Sequence, residues 1–395
     1  MADLILKPGR EKSLRRQHPW VFSGAVAELR GTAAPGDTVR VCDARGQPLA
    51  QAAYSPSSQI RARAWTFDAG ARVDAGFLAA RIEAAVRRRG RIDPGGAARL
   101  VHGESDGLPG LIADRYADLL VVQYLSAGAE RWREEIADAL LRATGLARLY
   151  ERSDADVRAL EGLAPRSGPL RGAAPDAPLT IVVYGLRLVV EVAHGNNTGF
   201  YVDPRDNRRL AREAAAGGGA DTALNVFCYT GAFSLALAAG GARAVLSIDS
   251  SGAALDLARA NAAASGLDPA VFEWREADAF AALRELRDQS RRFDLVVLDP
   301  PKFAPTPASV ERAARAYKDI NLLGMKLLRP GGRLFTFSCS GGVSAELFQK
   351  IVAGAAQDAG CDAVIARRLW AAPDHPVRLA FPEGEYLKGL LLERL

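Results

Sequence analysis

A cysteine at the end of a β-strand is placed to act as a nucleophile. Cys339 follows the apolar run Arg333-Leu334-Phe335-Thr336-Phe337, within Ser338-Cys339-Ser340 and ahead of Gly341-Gly342. Forty residues earlier, Phe293-Asp294-Leu295-Val296-Val297-Leu298 ends in Asp299-Pro300-Pro301-Lys302-Phe303, so an acid and a thiol are set to face one crevice. An open α/β sheet gathers its chemistry at such strand ends. The pair suits covalent work on a nucleobase. Cytosine C5 is a poor nucleophile, but a thiolate adding to C6 makes C5 enamine-like. C5 then takes an electrophilic methyl group, and loss of its proton lets the thiol leave. Asp299 would hold the N3 and N4 edge and supply or share the proton that makes C6 electrophilic, which requires an unstacked base. Pro300 and Pro301 fix the loop and offer a carbonyl to an exocyclic amine, while Lys302 or the amides near Gly341 and Gly342 would favour the thiolate. The same loop suits methylation of a purine amine equally well; Cys339 separates the two chemistries.

These residues need a sheet to hold them. After Tyr184-Gly185-Leu186, short apolar runs alternate with long amphipathic helices, the pattern of a doubly wound parallel sheet. Strands are expected at 223–227, 244–248, 270–274, 293–298 and 333–337, then a helix at 345–359 and a closing pair of strands at 363–369 and 386–393. Leu224-Asn225-Val226-Phe227-Cys228-Tyr229-Thr230-Gly231 reads as a strand and tight turn with one glycine, and lacks the G-x-G-x-x-G pyrophosphate fingerprint. Gly231 would let backbone approach something small and flat. Asp249 closes the next strand, where a carboxylate can accept both ribose hydroxyl protons. Asp278, past the third strand, is within reach of an adenine amine. Turn, ribose acid, adenine acid and Asp-Pro-Pro, in that order, describe a site for S-adenosylmethionine. Singly, each acid could instead cap a helix. The segment from Gly195 and Asn196 to Arg208 would cover the cofactor, with Arg205 pairing its carboxylate, before a helix at 208–216.

The first half reads differently. Short strands at 4–6, 38–41, 49–54 and 60–65, separated by turn signals, suggest a small β-barrel over residues 1–70. A central α+β domain over 71–185 follows, with a helical period from Asp74, strands at 110–115, 119–124 and 147–151, and a helix at 131–144. The proline-rich stretch 164–178 is expected to be an exposed loop, and residues 186–395 form the α/β domain. At 395 residues, 49% hydrophobic and 25% charged, the chain is long enough for two or three cores. Four cysteines without a Cys-x-x-Cys pair and four scattered histidines signal neither zinc nor a disulfide framework. The N-terminus lacks signal-peptide character and no apolar run reaches membrane-spanning length, so a cytoplasmic location without membrane attachment is expected. A formal charge of +5 permits an anionic partner. Two basic clusters, Arg10, Lys12, Arg15 and Arg16, and Arg87-Arg88-Arg89 with Arg91, read equally as solvated faces or phosphate-binding patches.

Taken together the chain resembles, nearly end to end, the large-subunit ribosomal RNA methyltransferase I family of cytosine-C5 enzymes. The resemblance lies in Thr198-Gly199-Phe200-Tyr201-Val202-Asp203-Pro204-Arg205, Asn225 to Gly231, Asp299 to Phe303, Tyr317-Lys318-Asp319-Ile320-Asn321, Phe337 to Gly341, His375-Pro376 and Pro382 to Gly389. It implies an N-terminal PUA-like RNA-binding barrel containing Leu6-Lys7-Pro8-Gly9 and His18-Pro19-Trp20-Val21-Phe22, a central α+β domain, and a C-terminal Rossmann-like class I methyltransferase domain. It also implies a cofactor site formed by Thr198, Tyr201, Asp203, Arg205, Asn225, Phe227, Tyr229, Thr230, Gly231, Asp249, Ser250, Asp278, Ala279 and Asp299, with S-adenosylhomocysteine as product. Pro300, Pro301, Lys302 and Phe303 would contact the base, and 5-methylcytosine in 23S ribosomal RNA or a large-subunit precursor would be formed through Cys339 and Asp299. A homodimer is compatible with the chain. Two other readings stay open: a purine N-methyltransferase acting on ribosomal RNA, and a non-catalytic PUA-containing RNA-binding or ribosome-assembly factor. The chain departs from the family in having Asn197 for lysine and Pro204 for glutamine. Where related RNA cytosine-C5 enzymes carry a second cysteine after Asp-Pro-Pro, Lys302 stands here. The acceptor of the C5 proton is thus left open among Asp299, Lys302 and water.

Overall fold

Apolar runs that alternate with amphipathic helices form a seven-stranded sheet, ordered Phe272–Glu276, Ala244–Asp249, Thr222–Val226, Phe293–Leu298, Leu328–Ser338, Lys388–Arg394 and Ala363–Trp370 in the computed structural model. The structure describes residues 1–193, 195, 197–217, 220–303 and 309–395; Asn196 of the expected cofactor-covering segment lies outside these. The first five strands run parallel, and Lys388–Arg394 is antiparallel to both its neighbours. Alternation along Leu328–Ser338 supplies both faces. Leu334 joins a core with Val296, Leu298, Ile320 and Phe348, whereas Phe335 and Phe337 join one with Ala211, Phe233 and Leu237. Burying each such side chain is worth about 1.5–3 kcal/mol, which fixes the register of the strand that ends at Cys339.

The helix N-termini follow from their capping residues. Ser251, Asp278 and Ser344 each accept a hydrogen bond from a backbone amide of the helix they open. The helix expected at 208–216 instead begins at Arg205, directly after Pro204, and carries Asp206 in its first turn.

Residues of the chain divide into two compact units. The seven-stranded sheet belongs to the unit made of Val182–Val189, Asp203–Ala372 and Glu385–Leu395. The other comprises Met1–Ile181, Val190–Val202 and Pro373–Gly384. It contains a six-stranded sheet, ordered Trp20–Phe22, Ile60–Thr66, Pro48–Tyr54, Thr38–Cys42, Asp3–Leu6 and Val26–Arg30. A five-stranded sheet, ordered Arg166–Arg171, Arg148–Ser153, Leu119–Tyr124, Leu111–Tyr116 and Ala97–His102, carries helices Ala75–Arg88 and Arg133–Thr144 over a core of Leu78, Ile82, Leu120, Tyr124 and Leu140.

The stretch 164–178 is not all loop. Arg166–Arg171 is an edge strand antiparallel to Arg148–Ser153, with Pro169 opposite Tyr150 at a register shift. An edge is where a sheet tolerates proline, because one side of the strand needs no ladder hydrogen bonds. Two segments within the expected methyltransferase domain pack in the first unit. Thr198 donates from Oγ1 to Asp114 Oδ2 at 2.6 Å and lies 2.8 Å from the Tyr116 hydroxyl. Asp374 accepts from the Arg99 amide at 2.9 Å, and Phe381 packs edge-on to Trp20 with centroids 4.9 Å apart. Among the described residues no helix is long and apolar enough to cross a membrane.

Candidate active site

Strand order reverses beside Thr222–Val226, and three strand ends meet there. Val226 pairs with Leu298, and Leu298 with Thr336, so the chain leaves the sheet at Phe227, Asp299 and Cys339 from adjacent strands. Such a switch point is where an open α/β sheet binds its ligands.

The first of these loops is built on backbone conformation. Phe227, Tyr229 and Gly231 have φ of 62°, 47° and 78°, a left-handed region that costs a non-glycine residue about 1–2 kcal/mol. The loop is held there by Cys228 N donating to Ile248 O at 3.0 Å and Tyr229 N donating to Asp249 Oδ2 at 2.8 Å. Gly231 has a reason within the fold itself: a β-carbon there would lie 2.9 Å from both Ala258 and the Trp274 ring. Packing and positive φ demand the glycine. Beneath the loop, Asn225 Nδ2 donates to Ser234 Oγ at 2.8 Å, and Thr230 gives its carbonyl to Asn261 Nδ2 at 2.8 Å. Both residues are buried and position the turn.

The acids lie at the ends of the next strands. Asp249 is half-buried, and its other oxygen accepts from the Ser251 amide at 3.0 Å. Each carboxylate oxygen keeps a second lone pair, so ribose hydroxyls can still be accepted. Ser250 beside it is exposed. Asp278 is also exposed and does cap a helix, accepting from Ala281 N at 2.9 Å, with Ala279 buried as the first helical residue.

The other two loops are built on charge. The Cys339 thiol lies 3.9 Å from the Pro300 carbonyl, which puts it against the Asp-Pro-Pro turn. Burial pushes this thiol up to about 11, Asp299 and Asp203 add to the effect, and the Lys302 ammonium opposes it. Burial likewise pushes the Asp299 carboxyl up to about 7, with the Asp203 charge adding and Arg208 opposing. Burial holds the Arg208 guanidinium down to about 10 against the pull of both acids. Asp203, Arg208, Asp299, Lys302 and Cys339 therefore act as one electrostatic group. Asp203, with Asp299 where it is ionised, supplies negative charge that suits a cationic sulfonium, set against the Arg208 and Lys302 cations. With Asp249 available for ribose, the residues present fit S-adenosylmethionine.

Pro300 is buried, Pro301 and Lys302 are exposed, and Phe303 packs between Phe227, Phe280 and Tyr317. Thr198 and Tyr201, expected at the cofactor, belong to the first unit, where Thr198 is buried and Tyr201 exposed. Arg205 lies 3.8 Å from Asp206, and it is Arg208, one turn along the same helix, that faces Asp203 and Asp299.

Three positioning residues lie in segments singled out from the sequence but carry no individual role there. Besides Arg208, the buried Tyr317 hydroxyl lies 3.0 Å from Ser340 Oγ, and Lys388 Nζ donates to the Ser340 and Val343 carbonyls at 2.8 Å each. Together the last two clamp the loop after Cys339. A signal existed for Tyr317 and Lys388: a tyrosine in the apolar stripe Ala313, Tyr317 and Ile320 needs a partner for its hydroxyl, and a lysine opening an apolar strand needs carbonyls around it.

Known proteins share sequence and fold with the chain. The PUA-like domain family matches residues 4–67, and the S-adenosylmethionine-dependent methyltransferase family matches residues 169–378. The chain is 49% identical to ribosomal RNA large subunit methyltransferase I of Shewanella amazonensis, over 98% of each protein. It is also 49% identical to the protein of that name from Alteromonas mediterranea, over 99% of this chain and 98% of the other. Among solved structures, a Streptococcus mutans protein assigned as an S-adenosylmethionine-dependent methyltransferase superposes with a TM-score of 0.84 at 21% identity, covering 100% of both chains. A methyltransferase-like structure in complex with S-adenosylhomocysteine gives 0.84 at 22% identity and the same coverage. The N-terminal domain is PUA-like, the C-terminal domain is a Rossmann-like S-adenosylmethionine-dependent methyltransferase, and the chain belongs to the ribosomal RNA large subunit methyltransferase I family.

Proposed function

We propose that the protein methylates C5 of a cytosine in large-subunit ribosomal RNA through a covalent bond between Cys339 and C6. The observation that carries this reading is the Cys339 thiol against the Pro300 carbonyl, with Asp299 and Lys302 as its charged company. The names of the relatives support the RNA. Bound S-adenosylmethionine supplies the electrophilic methyl group. Thr198, Tyr201, Asp203, Arg205, Asn225, Phe227, Tyr229, Thr230, Gly231, Asp249, Ser250, Asp278, Ala279 and Asp299 are the proposed cofactor residues.

In this reading the flipped cytosine lies against Pro300, Pro301, Lys302 and Phe303, with Asp299 at its N3 and N4 edge. Protonated Asp299 gives N3 its proton as the Cys339 sulfur bonds to C6. C5 becomes enamine-like and takes the methyl group; its proton then passes to Asp299, Lys302 or water, N3 gives back the proton it received, and the C–S bond breaks with the electron pair returning to sulfur. Tyr317 and Lys388 keep the thiol in place throughout. A division into a PUA-like domain at 1–70, a central α+β domain at 71–185 and the methyltransferase domain at 186–395 goes with this proposal, as does action in the cytoplasm. The four free thiols suit a reducing compartment.

The test uses large-subunit ribosomal RNA containing 5-fluorocytosine. Fluorine at C5 cannot leave as a proton, so the Cys339 adduct should survive denaturing electrophoresis, and Cys339→Ala should form none. Methyl transfer with no trapped adduct and full activity in Cys339→Ala would instead establish a purine-amine methyltransferase. Ribosomal RNA binding without methyl transfer would leave a binding or assembly factor.

A further inference from the structure

The first unit contains an open pocket of about 430 Å³ bordered by Arg81, Arg88, Ser105, Asp106 and Arg378. Arg81 comes from helix Ala75–Arg88, and Arg378 from Pro373–Gly384, which belongs to the same unit. Both are aimed at one spot. A side chain at Gly107 would collide with the Arg81 guanidinium, and its β-carbon would lie 3.6 Å from Arg378 Nη1. Each guanidinium is braced on an aromatic face, Arg81 at 4.6 Å from the Phe77 centroid and Arg378 at 5.7 Å from Phe67.

The nearby acid does not neutralise them. Asp106 accepts from Arg88 Nη1 at 2.5 Å, from Arg89 Nη1 and Nη2 at 2.7 and 2.6 Å, and from the His102 amide at 2.7 Å. Its charge is committed to Arg88 and Arg89. Among the described residues no carboxylate pairs with Arg81 or Arg378, and the buried Ser105 hydroxyl has no hydrogen-bond partner. Like charges packed together on rigid supports cost energy unless something anionic lies between them. Burial and the Arg378 charge also lower the pKa of Arg81. Planar donors in a braced fork match the oxygens of a tetrahedral anion.

We propose that Arg81 and Arg378, with Ser105, form a clamp for a phosphate group. An RNA backbone phosphate is one source and free phosphate the other. The RNA source rests on the function proposed above; the clamp itself does not.

The experiment compares the full-length protein with Arg81→Gln, Arg378→Gln, their double variant and Arg87→Gln, which removes an exposed charge from the same helix outside the pocket. One arm titrates a labelled fragment of large-subunit ribosomal RNA at several salt concentrations. If RNA occupies the clamp, the double variant should bind about tenfold more weakly, with a salt slope flatter by about 0.7 per arginine removed, while Arg87→Gln stays close to wild type. The second arm measures the melting temperature in inorganic phosphate against chloride of equal ionic strength. If free phosphate occupies the clamp, the wild type should gain stability and the double variant should not. The paired Arg→Lys variant, which keeps both charges, should recover part of either response and exclude misfolding as its cause. RNA affinity, salt slope and phosphate response all unchanged in the double variant would overturn the clamp. A wild type that binds no ribosomal RNA but loses its phosphate response in the double variant would overturn only the RNA reading.

Discussion

Cys228 and Cys339 occupy the same kind of place, each following a strand of one sheet at its carboxyl end, yet the fold treats them in opposite ways. Cys228 is buried among backbone. Burial and the Asp249 charge raise its pKa strongly, and no cation opposes them. Cys339 is only partly buried, touches the Asp-Pro-Pro turn, and has the Lys302 ammonium working against its burial. A strand end makes a thiol available for chemistry; its neighbours decide whether it takes part.

The largest effect should separate the two directly. Cys339→Ala should lower methyl transfer to large-subunit ribosomal RNA by about a thousandfold or more, whereas Cys228→Ala should stay within about threefold of wild type. A Cys339→Ala enzyme retaining a tenth of wild-type turnover would remove the distinction.

Asp299→Asn should come next, lowering kcat about a hundredfold near neutral pH. The pH profile carries more information. If the reaction needs protonated Asp299, at about 7, and Cys339 thiolate, at about 11, the fraction with both is flat from pH 7 to 11 and falls tenfold per unit below pH 7. In Asp299→Asn only the thiol titrates, so activity should climb throughout that range. A plateau surviving the substitution would mean that some other group sets the lower limb. The same variant should be more stable. Because the folded pKa of about 7 lies above the ordinary 3.8, ionisation costs the folded state nothing below pH 3.8 and its full penalty only above pH 7. Thermal melts should show a gain of about 1–3 kcal/mol at pH 8 that vanishes by pH 3.5.

A smaller effect is expected in thiol reactivity. Alkylation of Cys339 by iodoacetamide should rise with pH towards a midpoint near 11, and Lys302→Ala should slow it about threefold to tenfold at pH 8. Peptide mapping would read both cysteines at once, with Cys228 resistant until the protein unfolds. The smallest effect belongs to Tyr317→Phe, which removes the hydroxyl at Ser340 and should reduce kcat about threefold with little change in KM.

The sheet was legible because strands buried on both faces are written as unbroken apolar runs, such as Leu295 to Leu298, whose ends are set by Asp and Pro. The cysteine, the Asp-Pro-Pro turn and Asp249 could be found for the same reason, since each terminates a run. Arg208 could not: it stands beside Arg209, both helical, and only packing against Phe233 decides which of them is buried. Thr198 shows the converse. Its motif pointed to the cofactor, while its hydroxyl bonds Asp114 and Tyr116, contacts that depend on strands more than eighty residues away in sequence. Arg166–Arg171 was hidden by prolines that an edge strand can accommodate.

The interleaving of the two units bears on how the protein is made. The first unit includes Pro373–Gly384, which anchors through Asp374 and Phe381 and carries Arg378. A chain emerging from the ribosome therefore cannot finish its first unit when Ile181 appears; that waits until Gly384 has been synthesised, after nearly all of the second unit has emerged. Domains ordinarily fold as units during synthesis, the N-terminal one first. Here the last contacts of the N-terminal unit come after residues 203–372 of the other, so a product stalled or truncated before Pro373 would leave both units incomplete.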